Sequence, residues 1–314
     1  MATLGNSGID VFPLSLGGNV FGWTSDKDAS FEVLDRYVSG GGNFVDTADG
    51  YSAWVPGNSG GESETIIGEW LRSRGNRDQI VVATKVSQHP QFRGLSANNV
   101  AAAAEASLDR LGIEHIDLYY AHYDDEATPL IETAAAFDAL VRAGKVRAIA
   151  VSNYTGARIR EWFEIARREG FALPVAVQPH YNLVVRANYE KDIAPVAADE
   201  NLAVMPYYGL ASGFLTGKYR TTGDLSKSPR GGGAADLLKS GGLEVIDALD
   251  KIARDRDAQI ATVALAWLRQ RPQVAAPIAS ASTAAQLPAL LASATFDLSA
   301  EEAAALDAAS AKFA

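Results

Sequence analysis

Four polar residues whose types suit acid–base chemistry stand at or just after the ends of apolar, strand-like runs. Asp46, Lys85 and His122 each close such a run, and Tyr51 follows Asp46 by five residues. A polar side chain in that position packs poorly in a core, but it is well placed to point into a site built from loops at one face of a sheet or barrel. This recurrence predicts that the chain is an enzyme with its site at those strand ends.

The four side chains together are equipped to deliver a proton to one oxygen atom. A free phenol has a pKa of about 10, and a nearby ammonium lowers that value because it favours the phenolate. We therefore expect Lys85 to lower the pKa of Tyr51, Asp46 to hold Lys85 charged, and a neutral His122 to donate a hydrogen bond to a carbonyl oxygen. Each residue alone also has an ordinary structural role. The aspartate could cap a helix, the tyrosine could pack at the mouth of the barrel, the lysine could pair with an unrelated carboxylate, and the histidine could be buried with its hydrogen bonds satisfied. Four at consecutive strand ends favour an active site.

The composition fits a soluble globular protein with a large core. Of the 314 residues, 47% are hydrophobic and 21% are charged, which is normal for that class. The absence of cysteine excludes disulfides, a thiolate nucleophile and a zinc–thiolate site, and it fits a reducing, cytoplasmic location. No metal is expected at the site.

The charge balance and the hydropathy disfavour several kinds of partner. The net charge of −10, from 38 acidic and 28 basic residues, disfavours nucleic acid or an anionic membrane as the main partner. A few local amides and cations still suffice to bind one anionic cofactor. The N-terminal stretch lacks a signal-peptide pattern and the apolar runs are strand-sized, so neither a signal peptide nor a transmembrane helix is expected.

Short apolar runs alternate with longer amphipathic segments along nearly the whole chain. This alternation favours parallel strands joined by right-handed crossovers, and eight units predict a (β/α)8 TIM barrel with extra helices, in a single domain over residues 1–314. A doubly wound sheet is disfavoured because no Gly-x-Gly-x-x-Gly opens a helix after the first strand. The predicted strands lie near residues 14–17, 43–46, 80–85, 116–121, 146–151, 175–178, 202–206 and 274–278. The predicted helices are 27–40, 62–74, 97–111, 130–143, 155–169, 189–200, 243–270 in two pieces, and 283–293.

Local signals mark several boundaries in this pattern. An N-terminal hairpin is expected around residues 6–8, Ser96 is expected to cap the third helix, and Gly144 to end the fourth. The Gly- and Ser-rich segment from Thr221 to Gly242 is predicted to be a long loop after strand seven. Loops of this size are uncommon unless functional or mobile, so it either covers the mouth of the barrel or forms an unstructured excursion.

Several motifs in combination resemble the aldo-keto reductases over nearly the whole chain. The resemblance points to the branch related to bacterial general reductases and potassium-channel β subunits. It implies a (β/α)8 barrel that reversibly reduces an aldehyde or ketone to an alcohol, with Tyr51 as general acid, Lys85 and Asp46 tuning it, and His122 orienting the carbonyl. The matching stretches are residues 43–51, Val82-Ala83-Thr84-Lys85, residues 107–111 with 116–119, residues 144–147 through Ser152-Asn153, and residues 215–219.

The resemblance also implies which residues hold a nicotinamide cofactor extended across the mouth. Strand-end residues would hold the carboxamide, the ring of Tyr207 would stack on the nicotinamide, and Lys218 with nearby backbone amides would bind the pyrophosphate. Glycines after the first strand would let the backbone approach closely. The implied residues are Gly17, Gly18, Asn19, Asp46, Ser152, Asn153, Gln178, Tyr207, Leu210, Gly213, Leu215 and Lys218. Strand-end capping, packing and solvation are their ordinary alternatives.

The chain departs from the family pattern after the eighth strand, where relatives commonly grip the adenosine and its 2′-phosphate. Ser282 stands where the family has arginine, Leu290 stands where it has asparagine, and no Lys or Arg occurs between Arg271 and Lys312. A 2′-phosphate normally gains from a charge-assisted partner, so we expect NADP(H) with weakened preference and possible NAD(H) use. The neutral residues left to bind this end are Ser280, Ser282, Thr283 and Gln286.

Aromatic residues near the predicted strand ends suggest a wide, apolar pocket for a cyclic or aromatic carbonyl compound. The candidates are Phe21, Trp23, Trp54, Tyr123 and Tyr181. Ordinary packing at the mouth is the alternative for them. Tyr208 is not one of them; it is a further departure at the cofactor site, where it replaces the small residue common beside the stacking ring. Asp124 and Asp125 are placed to repel anionic substrates unless they are merely solvated. A small-molecule substrate and a monomer or weak oligomer are expected.

Two other functions compete with reduction. One is a cofactor-sensing binding module with vestigial activity, as in channel β subunits. The other is an unrelated barrel enzyme that uses Lys85 as a Schiff-base amine. The complete set of four polar residues disfavours both.

Overall fold

The computed structural model describes residues 1–314 apart from the side chain of Lys227. Its centre is a sheet of eight parallel strands, in which β7 to β1 follow one another as neighbours and β8 pairs with β1. Backbone bonds from Val204 to residues 273 and 275, and from Ile278 to Pro206, join the two edges and close the barrel. The predicted (β/α)8 barrel is confirmed. The strands are β1 Ser15–Gly17, β2 Phe44–Asp46, β3 Val81–Val86, β4 Ile116–Ala121, β5 Val146–Ser152, β6 Ala176–Gln178, β7 Ala203–Val204 and β8 Ile278–Ala279.

Helices surround the barrel and, apart from Ala235–Lys239 and Ala300–Ala309, follow the predicted order. They are α1 Lys27–Ser39, α2 Glu62–Arg74, α3 Ala97–Leu111, α4 Leu130–Arg142, α5 Gly156–Glu169, α6 Ala194–Asp199, α7 Ala235–Lys239, α8 Gly242–Asp255, α9 Ile260–Arg269, α10 Leu287–Ala292 and α11 Ala300–Ala309. Gly144 ends α4 as predicted, with φ at +71° and its N–H donating to the Val141 carbonyl. Ser96 does precede α3, but its side chain makes no capping bond. Glu132 Oε1 instead accepts from the Ala97 N–H at 2.9 Å.

The core has two layers because strand side chains alternate between the two faces of the barrel wall. One layer fills the barrel interior with residues such as Phe44, Leu118 and Met205, and the other packs the outer face against the helices. The predicted N-terminal hairpin, formed by Ala2–Thr3 and Asp10–Val11, adds its apolar residues to the interior layer. The interior is therefore packed rather than hollow.

Prolines shorten several predicted elements. The strand predicted at 202–206 reduces to Ala203–Val204, which ends two residues before Pro206. The strand predicted at 274–278 lies instead at Ile278–Ala279, directly after Pro277. Neither proline has an N–H to donate to a sheet. The helix predicted at 189–200 divides into a π-helical turn at Tyr189–Ile193 and α6, because Pro195 interrupts the hydrogen-bond ladder. The helix predicted at 283–293 divides likewise into a 3₁₀ turn at Ala284–Gln286 and α10.

The segment from Thr221 to Gly242 is not the long loop that the sequence predicts. It contains 3₁₀ turns at Thr222–Lys227 and Gly231–Ala234, followed directly by α7. Part of it, including Arg230, lines the cleft at the mouth of the barrel. The structure therefore agrees with a segment that covers the mouth of the barrel. The alternative, an unstructured excursion, is wrong.

Among the described residues, no helix is long and apolar enough to cross a membrane. The described part of the chain also contains no group of three or more His, Asp or Glu side chains placed to hold a metal ion.

Candidate active site

The carboxyl ends of the eight strands open into one cleft of about 1800 Å³. Single-ligand pockets measure roughly 300–1,000 Å³, so this cleft has room for a dinucleotide and a second small molecule. Most residues that the sequence singles out lie on its wall. They are Gly17, Asn19, Trp23, Asp46, Tyr51, Trp54, His122, Tyr123, Ser152, Asn153, Gln178, Tyr207, Leu210, Gly213, Lys218, Ser280, Ser282 and Gln286.

Lys85 connects two of the four predicted acid–base residues from behind the cleft wall. Its Nζ donates to Asp46 Oδ1 at 2.6 Å, to the Thr47 carbonyl oxygen at 2.6 Å and to Tyr51 Oη at 3.2 Å. Lys85 itself is fully buried, whereas Tyr51 and His122 line the cleft with ring centroids 6.0 Å apart. An ammonium that donates all three of its hydrogens and lies out of the cleft is not available as a Schiff-base amine.

Strand register places these groups next to one another. Asp46 ends β2 opposite Ala83 of β3, so the side chain of Lys85 projects two residues further along the neighbouring strand. The N–H of His122 donates to the Val86 carbonyl at 3.0 Å and continues the pairing of β4 with β3. The proximity is therefore set by parallel pairing, which aligns the carboxyl ends of adjacent strands.

Burial controls the ionisation of this group. It lowers the pKa of His122 well below the usual range, and the charge of Lys85 adds to that effect, so the neutral imidazole is favoured. Burial also lowers the pKa of Lys85, and the ion pair with Asp46 limits that fall. The expected lowering of the Tyr51 pKa is not found. Its pKa is raised well above the ordinary phenol value, first by burial and then by the charge of Asp46.

The residues predicted near the nicotinamide form one hydrogen-bonded network. Gln178 Nε2 donates to Asp46 Oδ2 at 2.8 Å, and Ser152 Oγ donates to the Gln178 carbonyl at 2.9 Å. Asn153 Nδ2 donates to the His122 carbonyl at 2.9 Å, while its Oδ1 accepts from Tyr207 Oη at 2.8 Å. The side chains at the ends of β5 and β6 are thus fixed relative to the acid–base group.

The far end of the cleft is held by neutral hydrogen bonds. Ser280 Oγ donates to Asn19 Oδ1 at 2.6 Å, and Gln286 Oε1 accepts from the Ser282 N–H at 2.8 Å. A Cβ on Gly17 would lie 2.6 Å from Ser280 Oγ, so a larger residue there would require the serine side chain to move. These contacts join the segment after β1 to the segment after β8. The segment after β8 is the one in which the sequence has no Lys or Arg.

Three residues predicted to contact a ligand do not line the cleft. Phe21 and Leu215 are fully buried in the core behind the cleft wall, because their side chains point away from the cleft. Gly18 does not line the cleft either. A Cβ there would lie 2.8 Å from Ser63 Oγ, so the glycine serves close packing against α2.

The remaining aromatic candidates divide between the cleft and the core. Trp23 and Trp54 meet edge to face at 5.7 Å, and Trp54 also meets Tyr51 at 6.2 Å. Tyr123 lines the cleft beside His122, with ring centroids 5.1 Å apart. Tyr181 is buried away from the cleft against Tyr189 and Trp267. Its placement in a substrate pocket is therefore wrong.

Two acidic residues near the mouth are engaged by structural contacts. Asp124 Oδ2 accepts from Arg158 Nε at 2.8 Å. The carboxylate of Asp125 accepts from the Leu95 N–H and from the Thr128 hydroxyl, which lowers its pKa. Neither side chain lines the cleft, so the structure does not place either carboxylate against a substrate.

Sequence reasoning missed Arg230, which enters the cleft from the 221–242 segment. Its guanidinium carbon lies 5.2 Å from the ring centroid of Trp23, and its Nη2 is buried without a hydrogen-bond partner. Burial lowers the pKa of the guanidinium, and the hydroxyls of Tyr208 and Tyr219 offset that effect only in part. The only sequence signal is a lone arginine in a Gly-rich stretch predicted to cover the mouth.

A second buried acid lies behind the acid–base group. Both oxygens of Asp49 are buried without a partner, and burial with the neighbouring charge of Glu64 raises its pKa well above the ordinary value. Glu64 has its own partners, since it accepts from Thr84 Oγ1 at 2.5 Å and from Arg110 Nε at 2.6 Å. These surroundings therefore favour the neutral form of the Asp49 carboxyl.

Comparison with known proteins agrees with this geometry. The model of the Aldo/keto reductase family matches residues 13–311. The chain belongs to the aldo/keto reductase family. The family and the names of its relatives indicate that the chain is an oxidoreductase.

Three relatives of this aldo/keto reductase illustrate the range of the family. Norsolorinic acid reductase B from Dothistroma septosporum is 34% identical, over 86% of this chain and 71% of its own. An aryl-alcohol dehydrogenase [NADP(+)] from Phanerodontia chrysosporium is 32% identical, over 94% and 81%. A putative voltage-gated potassium channel subunit beta from Schizosaccharomyces pombe is 31% identical, over 90% and 85%. The predicted resemblance to channel β subunits is thus confirmed.

Proposed function

We propose that this protein catalyses the reversible NAD(P)H-dependent reduction of an aldehyde or ketone to an alcohol. The observation that supports it most directly is the 3.2 Å contact between Lys85 Nζ and Tyr51 Oη, in a cleft that His122 also lines. Two relatives whose names describe a reductase and an alcohol dehydrogenase agree with this chemistry.

Tyr51 acts as the general acid in this proposal. When bound, the reduced nicotinamide supplies a hydride to the carbonyl carbon. Tyr51 Oη gives its proton to the carbonyl oxygen, and the Lys85 ammonium, held by Asp46, stabilises the phenolate that remains. The raised pKa of Tyr51 favours the protonated phenol, which is the form that a general acid needs.

His122 orients the carbonyl as a neutral hydrogen-bond donor. Its Nδ1 is buried without a partner. A proton on Nε2 therefore leaves only an acceptor unpaired, which costs less than burying an unpaired donor. The lowered pKa of the imidazole keeps it in this neutral form.

The cleft fits an anionic dinucleotide. Gly17 provides a close backbone approach, the buried Nη2 of Arg230 has a free donor, and Lys218 also lines the cleft. Arg230 and Lys218 would pair with phosphates, and Ser152, Asn153 and Gln178 would hold the carboxamide. The far end, at Ser280, Ser282 and Gln286, offers only neutral groups, so we propose NADP(H) use with weakened preference and possible NAD(H) use.

A cofactor-sensing module is the second candidate, because one relative is named as a channel subunit. Such a protein would bind the cofactor without useful turnover. For this chain we propose instead a small-molecule enzyme that is cytoplasmic and acts as a monomer or weak oligomer. The absence of cysteine and the acidic net charge agree with that proposal.

Fluorescence titration with NADPH and NADH, followed by a panel of aldehydes and ketones, tests the function. Saturable binding with turnover of at least one carbonyl compound supports a reductase. Tight binding without turnover of any of them favours the sensing module. No binding of either cofactor overturns both.

A further inference from the structure

We propose that Tyr208 makes the cleft selective for carbonyl compounds whose carbonyl is attached to a flat aromatic ring. Tyr208 would form one side of a slot that Trp54 and Tyr123 complete. This inference rests on the proposed reductase function, since it concerns the substrate of that same site.

The backbone of Tyr208 adopts a conformation that non-glycine residues seldom take. Its φ is +54°, in the left-handed region. Its carbonyl accepts from the Ala211 N–H at 2.7 Å and from Asn182 Nδ2 at 3.0 Å, and Asn182 is fully buried. Strained backbone held by such contacts is concentrated at functional sites. The contacts fix where the phenol ring is presented.

The ring of Tyr208 lies on the cleft wall rather than in the core. It is 47% exposed and meets Tyr207 at 5.2 Å and His180 at 5.4 Å, both edge to face. These contacts hold the edge of the phenol while leaving nearly half of the residue accessible. A large aromatic group held in this way gains little from folding and can gain more from a bound ligand.

Exposed aromatic groups are concentrated at this cleft. Six large hydrophobic residues are exposed among those the structure describes, and three of them, Trp54, Tyr123 and Tyr208, line it. Singly scattered residues would need no explanation, whereas a group on one concave wall marks a binding site.

The three rings surround the acid–base group. Trp54 lies against Tyr51 at 6.2 Å, and Tyr123 lies against His122 at 5.1 Å. Tyr208 is connected to the same group through Tyr207, whose ring centroid lies 5.2 Å from that of Tyr208. Tyr207 Oη donates to Asn153 Oδ1, and Asn153 Nδ2 donates to the His122 carbonyl. A carbonyl oxygen placed at Tyr51 and His122 therefore carries its substituent into the space between these rings.

Aromatic substituents fit this slot better than saturated rings of similar size. Edge-to-face and offset contacts between aromatic rings are worth about 2- to 10-fold in affinity beyond the area they bury. A saturated ring is thicker and lacks the quadrupole that favours these geometries. The slot therefore selects by shape and by ring electrostatics.

Benzaldehyde and cyclohexanecarbaldehyde form a matched pair for the test. Their kcat/KM ratio is measured for the wild type, Tyr208→Phe, Tyr208→Ser and the exposed-surface control Ile131→Ser, which lies on α4. Tyr208→Ser should reduce the ratio about 5- to 20-fold, chiefly through KM for benzaldehyde. Tyr208→Phe should keep most of the ratio, and Ile131→Ser should not change it.

The cofactor dissociation constant is measured for every variant, because Tyr208 follows the residue expected to stack on the nicotinamide. If Tyr208→Ser leaves the kcat/KM ratio of the two aldehydes unchanged, the proposal is overturned. This includes the case in which kcat/KM falls equally for both substrates. If the wild type reduces neither aldehyde, the proposed function fails separately. Calorimetry of the cofactor-loaded protein with benzyl alcohol and cyclohexylmethanol then decides the inference. Preferential binding of benzyl alcohol that Tyr208→Ser abolishes supports it, and equal or undetectable binding of both alcohols overturns it.

Discussion

The Nζ atom of Lys85 lies 3.2 Å from the phenol oxygen of Tyr51 and 2.6 Å from Asp46 Oδ1. A buried ammonium in that position stabilises a phenolate more than a phenol, so it assists proton release from Tyr51. Burial of Tyr51 acts in the opposite direction and raises its pKa. The acid is therefore kept protonated at rest and is assisted when it donates.

Lys85→Met should reduce kcat about 10²- to 10⁴-fold, because the phenolate loses its cation. The single variant also leaves the buried Asp46 unpaired, which is expected to destabilise the protein by about 3–5 kcal/mol. The double variant Lys85→Met/Asp46→Asn should recover much of that stability but not the activity. Steady-state kinetics and thermal unfolding on both variants check this. Activity restored together with stability would mean that Lys85 is only structural.

His122 should not titrate in the neutral range. Its pKa is lowered well below the usual value, so the imidazole stays neutral from about pH 6 upward, where free histidine titrates. A profile of kcat for reduction between pH 6 and 8 should show no step that His122→Gln removes. A step in the wild type that vanishes in the variant would contradict the neutral assignment.

Asp49→Asn should stabilise the protein above neutral pH. The native pKa of Asp49 is raised, so the native state holds a proton that the unfolded state releases, and stability falls as pH rises above the unfolded value. The asparagine variant lacks this loss. Its advantage should be on the order of 1 kcal/mol at pH 8 and should shrink toward pH 4. Denaturant unfolding at both pH values measures it, with exposed Asp28→Asn as the control. A destabilised Asp49→Asn variant at pH 8 would contradict a neutral Asp49.

Arg230→Gln should weaken binding of both NADPH and NADH about 10-fold, because a charge-assisted contact is lost. Arg220→Gln is the control, since Arg220 pairs with Asp247 at 2.5 Å and does not line the cleft. Titration of the wild type should also show NADPH bound less than about a hundredfold more tightly than NADH. A preference of several hundredfold would contradict the weakened NADP(H) preference, and unchanged binding in Arg230→Gln would remove it from the cofactor site.

The acid–base group was readable from the sequence because parallel strands align their carboxyl ends. Asp46, Lys85 and His122 each close an apolar run, so predicting the strands was sufficient to place them together. Phe21 does not line the cleft for a related reason. Outside a regular strand, the sequence has no periodicity from which the direction of a side chain can be predicted. The ring of Phe21 turns into the core only three residues beyond Gly18.

Other features depended on contacts between distant parts of the chain. Arg230 enters the cleft because two short 3₁₀ turns fold the Gly-rich segment over the mouth, and neither turn has a strong sequence period. The raised pKa of Tyr51 depends on burial, which the sequence does not specify. Helix α11 was missed although Ser299 and Glu302 form a capping box that was visible in the sequence.

Tyr51→Phe tests the central claim most directly, because it removes one hydroxyl and leaves the ring packed against Trp54 and His122. The account predicts that kcat for carbonyl reduction falls at least about 10³-fold, while the dissociation constant for NADPH changes less than about twofold. Turnover within a few-fold of the wild type would show that another group delivers the proton and would contradict the account.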